Sequence, residues 1–394
     1  MESKPTPLSF QHVANELRLF CGEESLAALT RELTRAGCSR ALVVEGRSVG
    51  NSGAMELLRK TLGPVLVGEC ISVRSNSPLP TVVETAQVLE KLKADCVIAV
   101  GGGSAAVTAR AASILLAEQS SAQSLSTKRL GDGTFDSPRL RASKLPHFIV
   151  PTTPSTAFVK AGSAIHDVDS GHRLALFDPK TRVRALFVHP EFLGTAPTEL
   201  VQSASLNTLV TAVEALASPK CDPLAEALLM QSLRLIGEHL NSTSLEDIAT
   251  RERLVLAAIL CGRGTEQSGG GLSSVLAHAI GARSNVPNGI VNAIVLPYTM
   301  RFNAAHTAAR YSVIAKSLVD VFPRDPHLTK PRDAIAAIEA LFETLSIPSR
   351  LRDIGIAQED LPEIAIAAMS DWFIARNARF LTHESVLSIL ASCW

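Results

Sequence analysis

The sequence predicts a doubly wound α/β N-terminal domain on a mainly parallel sheet, followed by an all-α C-terminal domain. Short continuous apolar runs alternate with helical spacings through the first half, strand signals stop after Pro197, and every later apolar pattern has the helical period. Continuous runs point to a parallel sheet because a strand covered by helices on both faces has no solvent side to alternate with.

The elements follow in order. The amphipathic stretch from Ser25 to Ala36 predicts a helix, and Ala41–Val44 the strand after it. A helical spacing over Val83–Leu92 leads into a second strand, Cys96–Val100. His147–Val150, bounded by Pro146 and Pro151, is a third, and Ala185–Val188, ending at His189-Pro190, a fourth. The polar stretch from Glu118 to Lys144, which contains Gly131-Asp132-Gly133, reads as a long surface loop or hairpin. Farther on, Leu224, Leu228, Leu229, Leu235, Ile236 and Leu240 recur at helical spacing, and Leu254–Cys261 is apolar all round, as in a buried helix. Further helices are expected over 334–345 and 361–375. The expected domains are therefore 1–195 and 196–394.

Composition narrows the function. Lys+Arg and Asp+Glu balance at 38 each, and aromatics are 4%, which argues against nucleic acid or an anionic membrane as partner. No apolar run is long enough to span a bilayer, and the N-terminus lacks the order of a signal peptide. Seven scattered cysteines, with no CxxC pair, read as reduced residues of a cytoplasmic protein and make a cysteine zinc site improbable.

Chemistry first shows at Val97–Val100, which runs into Gly101-Gly102-Gly103-Ser104 and then an alanine-rich helix. Glycine lets backbone approach an anion, and a helix N-terminus offers free N–H groups and a positive dipole end, so the loop fits a phosphate cradle. A tight turn using glycine only for packing is the other reading, since the loop is neither a Walker sequence nor GxGxxG.

Four motifs carry a resemblance: VIAVGGGS, VPTT at Val150–Thr153, LNTLVTAVEAL at Leu206–Leu216, and LAHAIGARSNVPNGIVNAIVLPYTMRFN at Leu276–Asn303. In this order they resemble the iron-containing (group III) alcohol dehydrogenases, of the dehydroquinate synthase-like superfamily. Within it, SPLPTVVETAQVLEKLKADCVIAVGGGS and NTLVTAVEAL are most similar to the maleylacetate reductase branch. The resemblance implies NADH or NADPH in the interdomain cleft, bound by Gly101, Gly102, Gly103, Ser104, Thr152, Thr153, Thr156 and Glu45. A homodimer or larger homo-oligomer acting on a small-molecule substrate is implied too.

Metal-dependent members of this family hold Fe²⁺ or Zn²⁺ with an Asp and three His. The corresponding positions here are Asn207, Thr211, Ser274 and Asn288, none of them charged, and the expectation is no metal. His278, one helical turn after Ser274, occupies a position the family uses near the substrate. Read alone it is a core histidine on an apolar helix. Read with the resemblance it is the acid or base that replaces a Lewis acid, assisted by Asn207, Thr211, Ser274 and Asn288. The other histidines are expected at the surface or individually hydrogen-bonded.

Other departures bear on the cofactor. Val107 and Arg110 stand where the family usually has Asp and Lys, and Pro154–Val159 replaces a small-residue run. Phe158 there means either a repacked loop or a reshaped nicotinamide pocket. Arg173 falls near a cofactor-contacting Lys of the family. Glu45 would hydrogen-bond a ribose diol and disfavour a 2′-phosphate, whereas Arg47 argues the other way. Lys160, Arg283 and Arg301 are candidate partners for a substrate carboxylate. The expected activity is metal-independent reduction of a carbonyl or alkene in a small polar substrate. The alternative is a non-redox lyase, hydrolase or isomerase on the same scaffold.

Overall fold

The structure, a computed structural model, describes residues 9–130, 134–240, 244–281, 283–284, 286–319, 334–371, 373–374 and 377–394. Its ten strands are β1 (Arg18–Cys21), β2 (Ala41–Glu45), β3 (Leu66–Cys70), β4 (Cys96–Gly101), β5 (Lys128–Arg129), β6 (Phe135–Asp136), β7 (His147–Pro151), β8 (Gly162–His166), β9 (Arg173–Phe177) and β10 (Val183–Val188). Helices α1 (Ala27–Arg35), α2 (Arg47–Gly50), α3 (Ala54–Leu62), α4 (Leu79–Lys91), α5 (Gly103–Glu118), α6 (Ala122–Leu125) and α7 (Pro190–Leu193) are interleaved with them. The helical region comprises α8 (Thr198–Ala217), α9 (Pro223–His239), α10 (Ile248–Ser268), α11 (Leu272–Gly281), α12 (Asn288–Val319), α13 (Ala334–Thr344), α14 (Leu361–Met369) and α15 (His383–Cys393).

Six strands form one parallel sheet in the order β1-β10-β7-β4-β2-β3. The four strands expected from continuous apolar runs are its four interior strands. Their apolar residues are buried on both faces, against α4 and α5 on one side and α1 and α3 on the other. After β2 the chain continues to β3 on one side, and after β4 it continues to β7 on the other. Loops leaving the adjacent strands β2 and β4 therefore diverge, which opens a crevice at their carboxyl ends.

The structure adds elements to the expected set and shortens one. β1 and β3, the sheet edges, were not anticipated; β3 is only half-buried and holds Gly68 and Glu69. A second antiparallel hairpin, β8–β9, lies between β7 and β10. The polar stretch after Glu118 contains α6 and the small β5–β6 hairpin, while its Gly131-Asp132-Gly133 lies outside the described residues. The helix expected over 361–375 stops at Met369, where Ser370 N–H bonds Ala367 O and a turn begins.

Helical packing fixes where the crevice is roofed. The N-terminus of α12 crosses α8 so closely that a Cβ at Gly289 would overlap the backbone carbonyl of Ser203. Arg251 of α10 is buried and donates to the carbonyls of Leu193, Ala196 and Leu245, tying the start of the helical region to α7. Gly289→Ala is expected to cost about 1–3 kcal/mol through overpacking against backbone that cannot yield. A lowered guanidinium midpoint measures it; an unchanged midpoint would refute the close crossing.

Candidate active site

The site is built on the step from β4 into α5. Gly101 has φ +142°, a conformation that side-chain-bearing residues rarely adopt. A Cβ at Gly102 would lie 2.7 Å from Thr153 Oγ1, and one at Gly103 2.7 Å from Ser155 Oγ. Thr152 N–H donates to Gly101 O at 3.0 Å, and Ser77 Oγ to Ser104 O at 3.1 Å. The segment after β7 thus packs directly on the glycine loop and leaves the first turn of α5 open to a cleft of about 500 Å³.

That cleft lies between the sheet and the helical region. Gly103, Ser104, Val107, His166 and Arg173 line it from one side; His278, Arg283 and Asn288 line it from the other. Thr152, Thr153 and Thr156 are buried, and Thr153 packs its hydroxyl against Gly102 of the loop. Thr156 lies in a 3₁₀ turn, its carbonyl against Gly262 of α10. Phe158, in the same turn, is fully buried in the sheet–helix core and does not line the cleft, so the loop is repacked. Arg110 is buried beside it and donates to Ala157 O and Gly162 O, both at 2.7 Å, which explains a guanidinium inside the helix after the loop.

Glu45 also departs from expectation. Its side chain is 0% exposed, with Oε1 against Gly50 and neither carboxylate oxygen hydrogen-bonded among the described residues. Burial raises its pKa from 4.5 to about 7, with Glu69 adding to the rise and Arg59 opposing it. Arg47, two residues on, is exposed.

The four uncharged family positions are engaged within the protein. Asn207 Oδ1 accepts from Asn292 Nδ2 at 2.8 Å, and Thr211 Oγ1 donates to Asn207 O at 2.7 Å. Ser274 Oγ donates to Glu214 Oε2 at 2.7 Å. Asn288 begins α12, with its Oδ1 against Gly281. Of the five residues expected to be catalytic, His278 and Asn288 line the cleft; Thr211 and Ser274 are buried, their hydroxyl protons already donated. Sequence reasoning missed Glu214, although it lies on the Asn207–Thr211 face of α8 inside a quoted motif. Its buried carboxylate accepts from the N–H groups of Gly271, Ser273 and Ser274 and so caps α11. Burial raises its pKa against the pull of those bonds. Among the described residues, the one His/Cys/Asp/Glu cluster of metal-binding size is Cys38, Asp95 and Cys96, beneath the opposite end of the sheet. There Asp95 is occupied by Ser39 and Arg40.

His278, 18% exposed, stands on α11 with Nδ1 2.8 Å from Asp371 Oδ2. Phe373 lies 6.1 Å from the imidazole, centroid to centroid, and its N–H donates to Asp371 Oδ1 at 2.8 Å. Arg173 reaches from β9 to 4.0 Å of the same Oδ2. Burial first, then the charges of Arg173 and Lys160, lower the His278 pKa below 6.5 against the pull of Asp371. Asp371 is held down: burial would raise it, but His278, the Phe373 N–H and Arg173 outweigh burial. Asp371 lies 93 residues from His278, in a stretch read as continuous helix, and no local pattern marks it.

Other expectations sort by position. Arg283 lines the cleft and pairs with Glu363. Arg301 pairs with Glu339 on the exposed side of α12, outside the residues lining the cleft. His166 lines the cleft rather than the outer surface. His147 is buried in β7, where burial and Arg110 push its pKa down to about 3 and keep it neutral.

A parallel sheet feeding a glycine loop, roofed by helices that bring a histidine to the same cleft, has the layout of a nucleotide-dependent oxidoreductase. Residues 17–190 match the family described as iron-containing alcohol dehydrogenase, and 201–394 match the C-terminal part of the Fe-containing alcohol dehydrogenase family. The chain belongs to this family and is an oxidoreductase. Lactaldehyde reductase of Escherichia coli K12 is 29% identical over 386 residues, 97% of this chain and 99% of that one. NADPH-dependent butanol dehydrogenase of Clostridium saccharobutylicum is 28% identical over 324 residues, 80% and 81% of the two chains. The crystal structure of maleylacetate reductase from Agrobacterium tumefaciens superposes with TM-score 0.79 at 21% identity, covering 98% of this chain and 99% of that one. No helix among the described residues is long and apolar enough to cross a membrane.

Glu45 yields a stability test. Between pH 4.5 and 7 the unfolded chain ionises this carboxyl while the folded chain holds it neutral, so its stabilising contribution, complete below pH 4.5, is lost as pH rises through 7. Glu45→Gln escapes that loss and is expected to exceed the parent by about 1–3 kcal/mol at pH 8, with no gain at pH 4. Denaturant titrations at the two pH values decide it, and equal stability at both would place the carboxylate in water.

Proposed function

We propose that this oxidoreductase is NAD(P)H-dependent and metal-independent, interconverting an alcohol and a carbonyl in a small polar substrate with His278 as acid–base group. The observation that carries it is a mostly buried imidazole, anchored through Nδ1, facing the same cleft as the open first turn of α5. The glycine loop fits a dinucleotide pyrophosphate: Gly103 and Ser104 border the cleft at the first turn of α5, and a Cβ at Gly102 or Gly103 would force Thr153 or Ser155 out of place. Bound there, the cofactor supplies or accepts a hydride. The donor set at Asn207, Thr211, Ser274 and Asn288 does not fit a divalent cation. It holds no anionic ligand, and the neighbouring Glu214 is occupied capping α11.

The chain's own groups then share the work. Asn288 orients the substrate oxygen, and Arg283 with Arg173 favours a carboxylated substrate. With Glu45 turned inward, exposed Arg47 at the end of β2 favours NADPH over NADH. Seven free cysteines support a reducing, cytoplasmic setting, and the one-sided pairing of β1 leaves an edge for a homodimer or larger assembly.

NADPH should quench protein fluorescence on titration, and absence of binding at millimolar cofactor would overturn the assignment. Turnover should survive exhaustive chelation, with no stoichiometric Fe or Zn in elemental analysis. His278→Gln should lower kcat roughly 10²–10⁴-fold. Because the His278 pKa lies below 6.5, alcohol oxidation needs the neutral ring: kcat/KM should rise through that inflection and stay flat above it. Carbonyl reduction needs the imidazolium and should fall above the same inflection. Profiles with both slopes reversed would exclude His278.

A further inference from the structure

A neutral imidazole has one nitrogen that donates and one that accepts, so its use in catalysis depends on where its proton sits. Asp371 decides this for His278. Its carboxylate is favoured in the ionised form by three groups: the imidazole at 2.8 Å, the Phe373 N–H at 2.8 Å on the other oxygen, and Arg173 at 4.0 Å from the far wall of the cleft. An ionised carboxylate accepts and cannot donate, which puts the shared proton on Nδ1. The lone pair then belongs to Nε2, on a ring that borders the cleft with Asn288 and the glycine loop.

We propose that Asp371 is the positioning residue of the acid–base machinery, holding His278 as the Nδ1–H tautomer so that Nε2 exchanges the proton with substrate oxygen. This rests on the reading of His278 given above. In the oxidation direction the substrate O–H bond breaks and its proton bonds to Nε2. The electron pair left on oxygen closes the carbonyl as the carbon-bound hydrogen departs with its own pair to the oxidised nicotinamide cofactor. Reduction runs the same transfers backwards, from the imidazolium. Among the described residues, Arg173 and Lys160 act on the ring to lower its basicity, and Asp371 acts to raise it.

Asp371 also anchors the turn after α14, so a purely structural role must be separated from this one. Asp371→Asn keeps the side-chain volume and the oxygen that accepts the Phe373 N–H, but turns an NH₂ toward Nδ1. ¹⁵N-edited NMR of the imidazoles, with His278 assigned by its loss in His278→Gln, should show Nδ1–H in the parent and Nε2–H in Asp371→Asn. The same variant should lose on the order of 10²–10⁴-fold in kcat. Its KM for NADPH should hold, its pH inflection should move down, and Asp371→Glu should recover part of the rate.

Nε2–H in the neutral parent overturns the proposal, whatever the activity. So does an Asp371→Asn protein that loses kcat with its tautomer unchanged, which would assign the residue to the turn alone. If Asp371→Asn unfolds, as read by circular dichroism, the parent tautomer and the rate of Asp371→Glu decide on their own. A parent with Nδ1–H that never turns over NADPH supports the positioning role and removes the redox reading.

Discussion

Glu214 holds the helical half of the cleft in place. Its carboxylate is buried on α8, yet it accepts from three backbone N–H groups at the head of α11 and from the Ser274 hydroxyl. A helix start buried without such a partner would carry unsatisfied donors in a medium that penalises them heavily. The cap therefore fixes the origin of α11 relative to α8, and with it the height at which His278, one turn farther, meets the glycine loop. Everything proposed for the imidazole depends on that fixed distance along one helix.

Charge is handled in opposite ways on the two sides of the cleft. Below, the β4–α5 step supplies a positive helix terminus through backbone alone, with glycine as the condition for access. Above, the amide of Asn207 is bonded to Asn292, the Thr211 hydroxyl to a backbone carbonyl and the Ser274 hydroxyl to Glu214. What remains is one imidazole between a carboxylate and two cationic side chains. Burial and the cations together outweigh the single anion and lower the imidazole pKa.

How much was legible in the sequence depended on burial and on range. Interior strands such as Val97–Val100 are apolar on both faces and announce themselves; the edge strand Leu66–Cys70, half-buried and carrying a charge, does not. The β8–β9 hairpin, which delivers His166 and Arg173, buries alternate residues of β8 only, and the apolar run Leu174–Phe177 of β9 ends on an exposed Phe177. Glycine spacing and His278 were readable because each belongs to a continuous motif. Asp371 was not, since its meaning comes wholly from a side chain 93 positions away. The inward packing of Glu45 against Gly50 is a fact of packing rather than pattern, and no local spacing marks it.

Helix α10 presents two faces to two cores. Val255 and Ile259 join the apolar layer beneath the sheet, while Leu254, Ala257 and Cys261 join the layer among α8, α9 and α12. A fragment ending at α7 would carry that sheet layer with part of its cover missing, and a fragment beginning at α8 would expose the opposite stripe of the same helix. The strand-rich and helix-rich stretches differ in architecture, but their apolar layers meet on the two faces of one helix.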